Sequence, residues 1–284
     1  MGSMEPWIAA PSSLLLLVLA LYCHRNWRAI FPEDPPGTGR HQHVAPTPMA
    51  GWLPVVVALA ALRYADVSWW VLAGIALASS TGYLDDRGKA AGREMSWVFK
   101  ALLLGLATAM VLVEARSRLD GITPIALAVL WLFAVTNAVN FLDNTDGVAS
   151  SLGVLGLLLV SRCEGAAAWA AFAFLGFVPG NWPRPRVFLG DSGSLGLGMC
   201  LAWATLPSPD DPAPWTALLP IAVFALDFTQ VLVARIILRT PPWVGDRRHL
   251  THIAVNIGLR RVFVAPLFVL LGCGLYFVPE LIGS

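Results

Sequence analysis

Charge is what this sequence has least of. Only 13% of its 284 residues are Asp, Glu, Lys or Arg, where a soluble globular domain carries about 25%. That scarcity excludes a nucleic-acid binder with a basic face; the formal charge of +1, from 19 basic and 18 acidic residues, says little by itself. Cysteine is scarce as well. The four, at 23, 163, 200 and 273, lie singly in or beside apolar runs, with no C-x-x-C pair and no Cys/His metal spacing, so they read as small apolar packing residues. Alternating polar–apolar segments are missing, which excludes a membrane β-barrel. No internal repeat or low-complexity tract is visible, and an inverted-repeat transporter finds no support. What is there is apolar: 57% hydrophobic residues and a mean hydropathy of +0.67, which exclude a soluble globule and a disordered chain.

The apolar residues fall into ten runs, near 7–22, 50–64, 69–84, 97–113, 122–139, 148–161, 166–182, 193–206, 215–234 and 262–279. Several are shorter than the roughly 20 residues that span a hydrocarbon core and must borrow flanking residues or sit where the bilayer thins. The expectation is an all-α polytopic membrane bundle of about ten transmembrane helices, forming a single domain over 1–284. With the N-terminus outside, the inner segments hold fifteen of the 19 basic residues, and the outer ones only Arg63, Arg116, Arg118 and Arg162. By the positive-inside bias both termini face outward. The first run has Arg25 and Arg28 just after it and no clear small-residue cleavage site, so it reads as a retained helix.

Polar residues collect on the inner side. Loop one carries Asp34, Arg40, His41, His43 and the turn Pro46-Thr47-Pro48. Loop two begins with Asp85-Asp86 at the cytosolic end of the third run, followed by Arg87, Lys89, Arg93 and Lys100. A third junction holds Asn137, Asn140, Asp143, Asn144, Asp146 and Gly147; a fourth reads Gly190-Asp191-Ser192-Gly193-Ser194; a fifth holds Asp246, Arg247, Arg248, His249 and His252. The asymmetry points to one site on the cytosolic face.

Adjacent Asp85 and Asp86 repel unless a cation sits between them or one is protonated; the bland alternative is a helix-end anchor in the headgroup region. Asn140, Asp143 and Gly147 share one face if their segment is helical, and Asp146 lies three residues beyond Asp143. Gly190-Asp191-Ser192-Gly193 resembles a phosphate-binding turn with free N–H groups at a helix start, although simple capping by Asp191 or Ser192 explains the same residues. Asp227 lies inside the ninth run, where a carboxylate needs a partner, and Arg235 is the nearest candidate. His249 and His252, amid Arg247 and Arg248, suit phosphate better than metal. Carboxylates near fixed cations suit a hard divalent ion bridging phosphates, Mg²⁺ first, and phosphoryl chemistry at a membrane face.

Four blocks, in order, carry a resemblance: GYLDDRGK (82–89), NAVNFLDNTDG (137–147), VFLGDSGSLGLG (187–198) and DRRHLTH (246–252). Weaker ones are the loop from Arg40 through His43 to Pro48, and Asp227 with Arg235. The chain resembles the polyprenyl-phosphate N-acetylhexosamine-1-phosphate transferases, over nearly its whole length. The resemblance implies transfer of a sugar-1-phosphate from a UDP-N-acetylhexosamine, UDP-GlcNAc first, to undecaprenyl phosphate. UMP is released and Mg²⁺ is required, with Mn²⁺ as a substitute. It implies Asp85, Asp86, Asp143, Asp146 and Asp191 as catalytic, with Asp191, Asp143 and Asp86 holding the metal. Lys89, Lys100, Asn140, Arg247, Arg248, His249, His252 and His43 would bind substrate. It also implies a homodimer in the bacterial inner membrane, starting a cell-envelope glycan.

The last block departs from the family's frequent H-L-H-H-R: Thr251 and Ile253 stand where the middle His and the Arg would be. The triple-histidine form of the muramoyl-pentapeptide branch is absent, which argues against that substrate. A CDP-alcohol phosphotransferase would need Ala-Arg after the D-x-x-D-G, where Ser150-Ser151 stand. A transporter with cytosolic-side carboxylates would need polar groups near the midplane of several spans, and only Asp227 is so placed.

Overall fold

The computed structural model describes residues 5–23, 30–34, 46–116, 119, 121–162, 165–206, 214–241 and 247–282. Every one of the ten apolar runs is helical: α1 (Ala9–Cys23), α2 (Trp52–Tyr64), α3 (Trp69–Ala90), α4 (Trp97–Ala115), α5 (Ile122–Leu142), α6 (Val148–Val160), α7 (Ala167–Leu175) with α8 (Val178–Asn181), α9 (Gly190–Ala204), α10 (Ala222–Ile237) and α12 (Val264–Ile282). An additional short helix, α11 (Leu250–Asn256), carries the fifth polar block. The only strands among the described residues are β1 (Glu33–Asp34) and β2 (Thr47–Pro48), paired antiparallel. The class is all-α, as the composition predicts.

Among the described residues, three stretches, Trp97–Ala115, Ile122–Leu142 and Leu218–Ile237, are long and apolar enough to cross a membrane. Other runs are interrupted. The run 166–182 breaks after Leu175 because Pro179 falls in the first turn of α8, where a residue without an N–H begins a helix rather than continuing one. The run 215–234 opens as a 3-10 segment, Pro214–Ile221, with Pro220 inside it, before α10 begins.

Burial identifies α9 as the centre. Its residues from Ser192 to Ala202 are all buried, and it packs against α2, α3, α5, α6 and α7. Its first half is built of Gly and Ser, which lets neighbouring backbones come close. The tightest approach is to α3: a Cβ on Gly82 would stand 2.1 Å from the Asp191 carbonyl oxygen. Antiparallel packing then brings the C-terminal ends of α3 and α5 to the N-terminal ends of α4 and α9. Loop one joins the same end, since the Ala50 N–H bonds Phe188 O at 3.0 Å and the Phe188 N–H bonds Pro48 O at 2.9 Å.

Two local expectations are corrected. Helix α3 runs on to Ala90, so Asp85, Asp86 and Lys89 stand on a helix and not in a loop. Conversely, α5 stops at Leu142: Asp143 (φ −77°, ψ 56°) has left the helix, and Gly147 is left-handed at φ 73°. Asn140, Asp143 and Gly147 therefore share no helical face; a turn gathers them.

Candidate functional site

Asp191 opens the first turn of α9, and three side chains from three other positions converge on it. Lys89 Nζ, one turn beyond Asp85 on α3, reaches Asp191 Oδ2 at 2.9 Å and Asp85 Oδ2 at 3.0 Å. Lys100, from the first turn of α4, contacts Asp191 Oδ2 and lies 2.9 Å from Asp85 Oδ2. Asn140 Nδ2 donates to Asp191 Oδ1 at 3.1 Å and to Ser194 Oγ at 2.8 Å. Asp85 also accepts the Met95 N–H at 3.2 Å, which folds the α3–α4 connection onto the cluster. Both of its oxygens are thus engaged by donors.

Asp86 does something the sequence did not suggest. Its oxygens accept the backbone N–H groups of Asp191 and Ser192, each at 3.0 Å. A side chain from α3 therefore caps α9, satisfying donors that a helix start otherwise leaves open. The expected phosphate-binding turn is corrected on this ground, because a protein carboxylate already holds those N–H groups. The capping alternative for Asp191 is corrected too: its carboxylate meets Lys89, Lys100 and Asn140. Gly190, at φ 64°, permits the turn; a Cβ there would stand 2.9 Å from Asp86 Oδ2.

The electrostatics are unbalanced. Burial alone would raise Asp191, but the Lys100 and Lys89 ammoniums outweigh it and hold the carboxyl well below the usual range. Asp86 is pushed up to about 7, first by burial and then by the Asp191 charge, against the pull of its two backbone donors and Lys89. Asp143 is raised well above its ordinary value by burial and by the charges of Asp191, Asp86 and Asp146. Asp146 is thereby placed in the same electrostatic neighbourhood.

The fifth block docks beside this cluster. Thr251, fully buried on α11, donates to Asn144 Oδ1 in the turn after α5. The Phe141 ring lies between α10 and α11, with Phe228 at 5.1 Å, His249 at 6.2 Å and the Arg235 guanidinium at 5.0 Å. His252 is 6.1 Å from His249, ring to ring. Burial, followed by His249, Arg247 and Arg261, lowers its affinity for a proton. Arg247 is exposed and Arg248 half-buried. The partner the sequence reading missed for Asp227 is His249: their Oδ2 and Nδ1 atoms are 2.8 Å apart. Twenty-two residues separate them, beyond the reach of any periodicity. His43, Arg40 and Asp246 lie outside the described residues.

Can these residues hold a divalent ion? Among the described residues no three Asp, Glu, His or Cys side chains converge as a metal site. The expected set of Asp191, Asp143 and Asp86 is therefore not a protein-only cage, and Asp86 is turned to the backbone. The remaining donor chemistry does fit a hard cation. Asp143 and Asp191 crowd each other's charge, and the hydroxyl of Ser192, the next residue after Asp191, is buried without a partner among the described residues. Mg²⁺ commonly takes one or two carboxylates and completes its shell with phosphate oxygens and water.

Comparison with known proteins completes the description. The profile "Glycosyl transferase family 4" matches residues 68–208, which includes the α3, α5 and α9 blocks. A probable undecaprenyl-phosphate N-acetylglucosaminyl 1-phosphate transferase of Bacillus subtilis is 30% identical over 146 residues, 47% of this chain and 41% of that protein. The chain thus spans about two fifths of that relative. A decaprenyl-phosphate N-acetylglucosaminephosphotransferase of Mycolicibacterium smegmatis is 27% identical over 275 residues, 77% of this chain and 68% of the relative. A phospho-N-acetylmuramoyl-pentapeptide-transferase of Synechococcus is 32% identical over 231 residues, 70% and 67% of the two chains. With the blocks that carry the resemblance gathered at one end of the bundle, and relatives matched over most of both chains, this protein belongs to glycosyl transferase family 4.

Proposed function

We propose that the chain transfers an N-acetylhexosamine-1-phosphate from a UDP-linked donor, UDP-GlcNAc first, to undecaprenyl phosphate, releasing UMP. The setting is the cytosolic face of the bacterial inner membrane, with ten spans, both termini outside and a cell-envelope glycan begun there. One observation carries the reading: Asp85, Lys89, Lys100, Asn140 and Asp191, from four separate helices, meet in direct contact at one end of an apolar bundle.

A lipid-phosphate oxygen attacks the sugar-linked phosphorus of the donor; that phosphorus–oxygen bond forms as the bond to the UMP phosphate breaks. A phosphate monoester is largely dianionic at pH 7, so no base is needed to expose the attacking oxygen. This agrees with Asp85, whose oxygens are already engaged by Met95 and two lysines. Lys89 and Lys100 are held where incoming phosphates exchange for carboxylates, and Asn140 orients Asp191. Arg247, Arg248, His249 and His252 supply positive charge or donors to the diphosphate and sugar. Asp191 and Asp143 would hold Mg²⁺, which would supply charge neutralisation between two anionic substrates.

The Synechococcus relative keeps the muramoyl-pentapeptide donor as a second reading. The resemblance leaves a homodimer as the expected assembly. The test is UMP release by purified protein with undecaprenyl phosphate, Mg²⁺ or Mn²⁺, and a panel of UDP-GlcNAc, UDP-GalNAc and UDP-MurNAc-pentapeptide. Release with one UDP-HexNAc and its loss with chelator is expected. No release with any donor overturns the proposal, and release with the pentapeptide donor alone moves it to the second reading.

A further inference from the structure

Asp227 is fully buried midway along α10, within a stretch apolar enough to cross a membrane. On insertion scales a carboxylate at such a depth costs about 2.5–3.5 kcal/mol, so its partners decide whether it is tolerated. Its two oxygens have different ones. Oδ2 meets His249 Nδ1 at 2.8 Å, and Oδ1 accepts the Leu250 N–H at 2.7 Å. One carboxylate therefore grips consecutive residues, by a side chain and by the backbone, at the start of α11. His249 is buried too, 6% exposed, with Phe141 and His252 against its ring. The opposite side of α11 is fixed by Thr251 to Asn144, so the imidazole is held in place from two directions.

A carboxylate only accepts, so the proton on the facing imidazole nitrogen is assigned: Nδ1 carries it. That leaves Nε2, which has no hydrogen-bond partner among the described residues. It accepts a hydrogen bond when the ring is neutral and donates one when the ring is charged. We propose that Asp227 is a positioning residue for the transfer reaction, fixing His249 as the Nδ1–H tautomer so that Nε2 is the atom offered to the sugar diphosphate. This rests on the transfer reading above.

Asparagine at 227 tests the idea sharply. It keeps the shape but has one acceptor for two donors. With its oxygen on the Leu250 N–H, its NH₂ faces Nδ1, which must then accept, and the ring proton moves to Nε2. The backbone grip survives while the tautomer inverts.

The direct measurement is a long-range ¹H–¹⁵N correlation spectrum of ¹⁵N-histidine-labelled protein in detergent at pH 8, with His249 assigned by its loss in His249→Gln. The expected wild-type pattern is a protonated Nδ1 and a bare Nε2, reversed in Asp227→Asn. A wild-type Nε2–H tautomer overturns the proposal whatever the activity. The second measurement is UMP release. Asp227→Asn lowers it at least about tenfold, yet changes it less than about twofold in a His249→Gln background, because a residue acting only through another shows no separate effect once that other is gone. Losses that multiply in the double variant overturn the proposal. Inactive wild-type protein refutes the transfer reading instead, and the spectrum still decides where the proton is.

Discussion

Around Asp191, five carboxylates gather about two ammonium groups; the lysines hold Asp191 down, while burial first and neighbouring carboxylates second push Asp86 and Asp143 up. Around Asp227, a single carboxylate meets two donors at 2.7 and 2.8 Å. The first region is left with unrelieved repulsion, and the second is matched. Unrelieved charge in a packed interior is costly, and it is retained where a ligand will balance it. Matched hydrogen bonds hold geometry. The difference assigns chemistry to the α3–α4–α5–α9 end and positioning to the α10–α11 arm, and substitutions in the two regions should fail in different ways.

The largest effect is expected at Asp191. Asp191→Asn keeps the shape and one acceptor but removes the charge that two lysines share and that the proposed cation would share. UMP release should fall at least about a thousandfold, the upper range for one positioned electrostatic group, in protein that still purifies as a folded bundle. Titrating Mg²⁺ reads the ligand role. Near-normal turnover at ordinary Mg²⁺ would return Asp191 to a structural role and erase the contrast between the two regions.

Asp143→Asn sharpens the same contrast through stability. Asp143 is raised in the folded protein, so its contribution to stability is greatest below the ordinary carboxyl value and is lost as pH rises through the raised one. The amide escapes that loss. In chelator, the melting temperature of Asp143→Asn relative to wild type should therefore climb from pH 5 to pH 8, while turnover drops about a hundredfold. A stability difference flat with pH would mean that burial and the neighbouring carboxylates do not raise Asp143 as described.

Much of this was legible in the sequence, for reasons that can be stated. Apolar runs report helices because burial is local in sequence, and every run became one. The polar blocks were equally visible, since Asp and Asn beside an apolar span stand out. What pairs with what was not visible. Asp86 caps a helix 105 residues away, Asp227 bonds His249 22 residues on, and Thr251 reaches Asn144 across 107 residues; none of these spacings has a period. The breaks were misjudged where composition outweighed backbone chemistry. Pro179 and Pro220 sit inside apolar runs yet interrupt their helices, and Asp85, polar enough to read as loop, stands on α3 in an i,i+4 pair with Lys89.

Asp86 shares features of both regions: its proton affinity is raised like that of Asp143, and it is hydrogen-bonded to two donors like Asp227. Asp86→Ala leaves the Asp191 and Ser192 N–H groups buried without their partner. Each such donor costs about 1–3 kcal/mol, so a loss of about 2–6 kcal/mol in unfolding free energy is expected, with turnover down about 10–100-fold as the Asp191 turn loosens. Chemical denaturation and UMP release read the two. Unchanged stability would show that the cap is not made in solution.

The smallest effect should come from Thr251→Val, which tests whether the α10–α11 arm is positioning alone. Valine matches the shape and removes only the hydroxyl, and Asn144 Oδ1 keeps a second donor in the Thr145 hydroxyl at 3.2 Å. A net loss of about 1 kcal/mol follows from one buried neutral hydrogen bond. Because Thr251 is fully buried, it touches no substrate, and its removal acts only through the placement of His249 and His252. Turnover should therefore fall a few-fold, about what 1 kcal/mol supplies, with the Mg²⁺ dependence unchanged. A shift in that dependence would carry metal chemistry into the arm. No change at all would leave Asp227 as the sole anchor of α11, and would make the histidine tautomer depend on that one carboxylate.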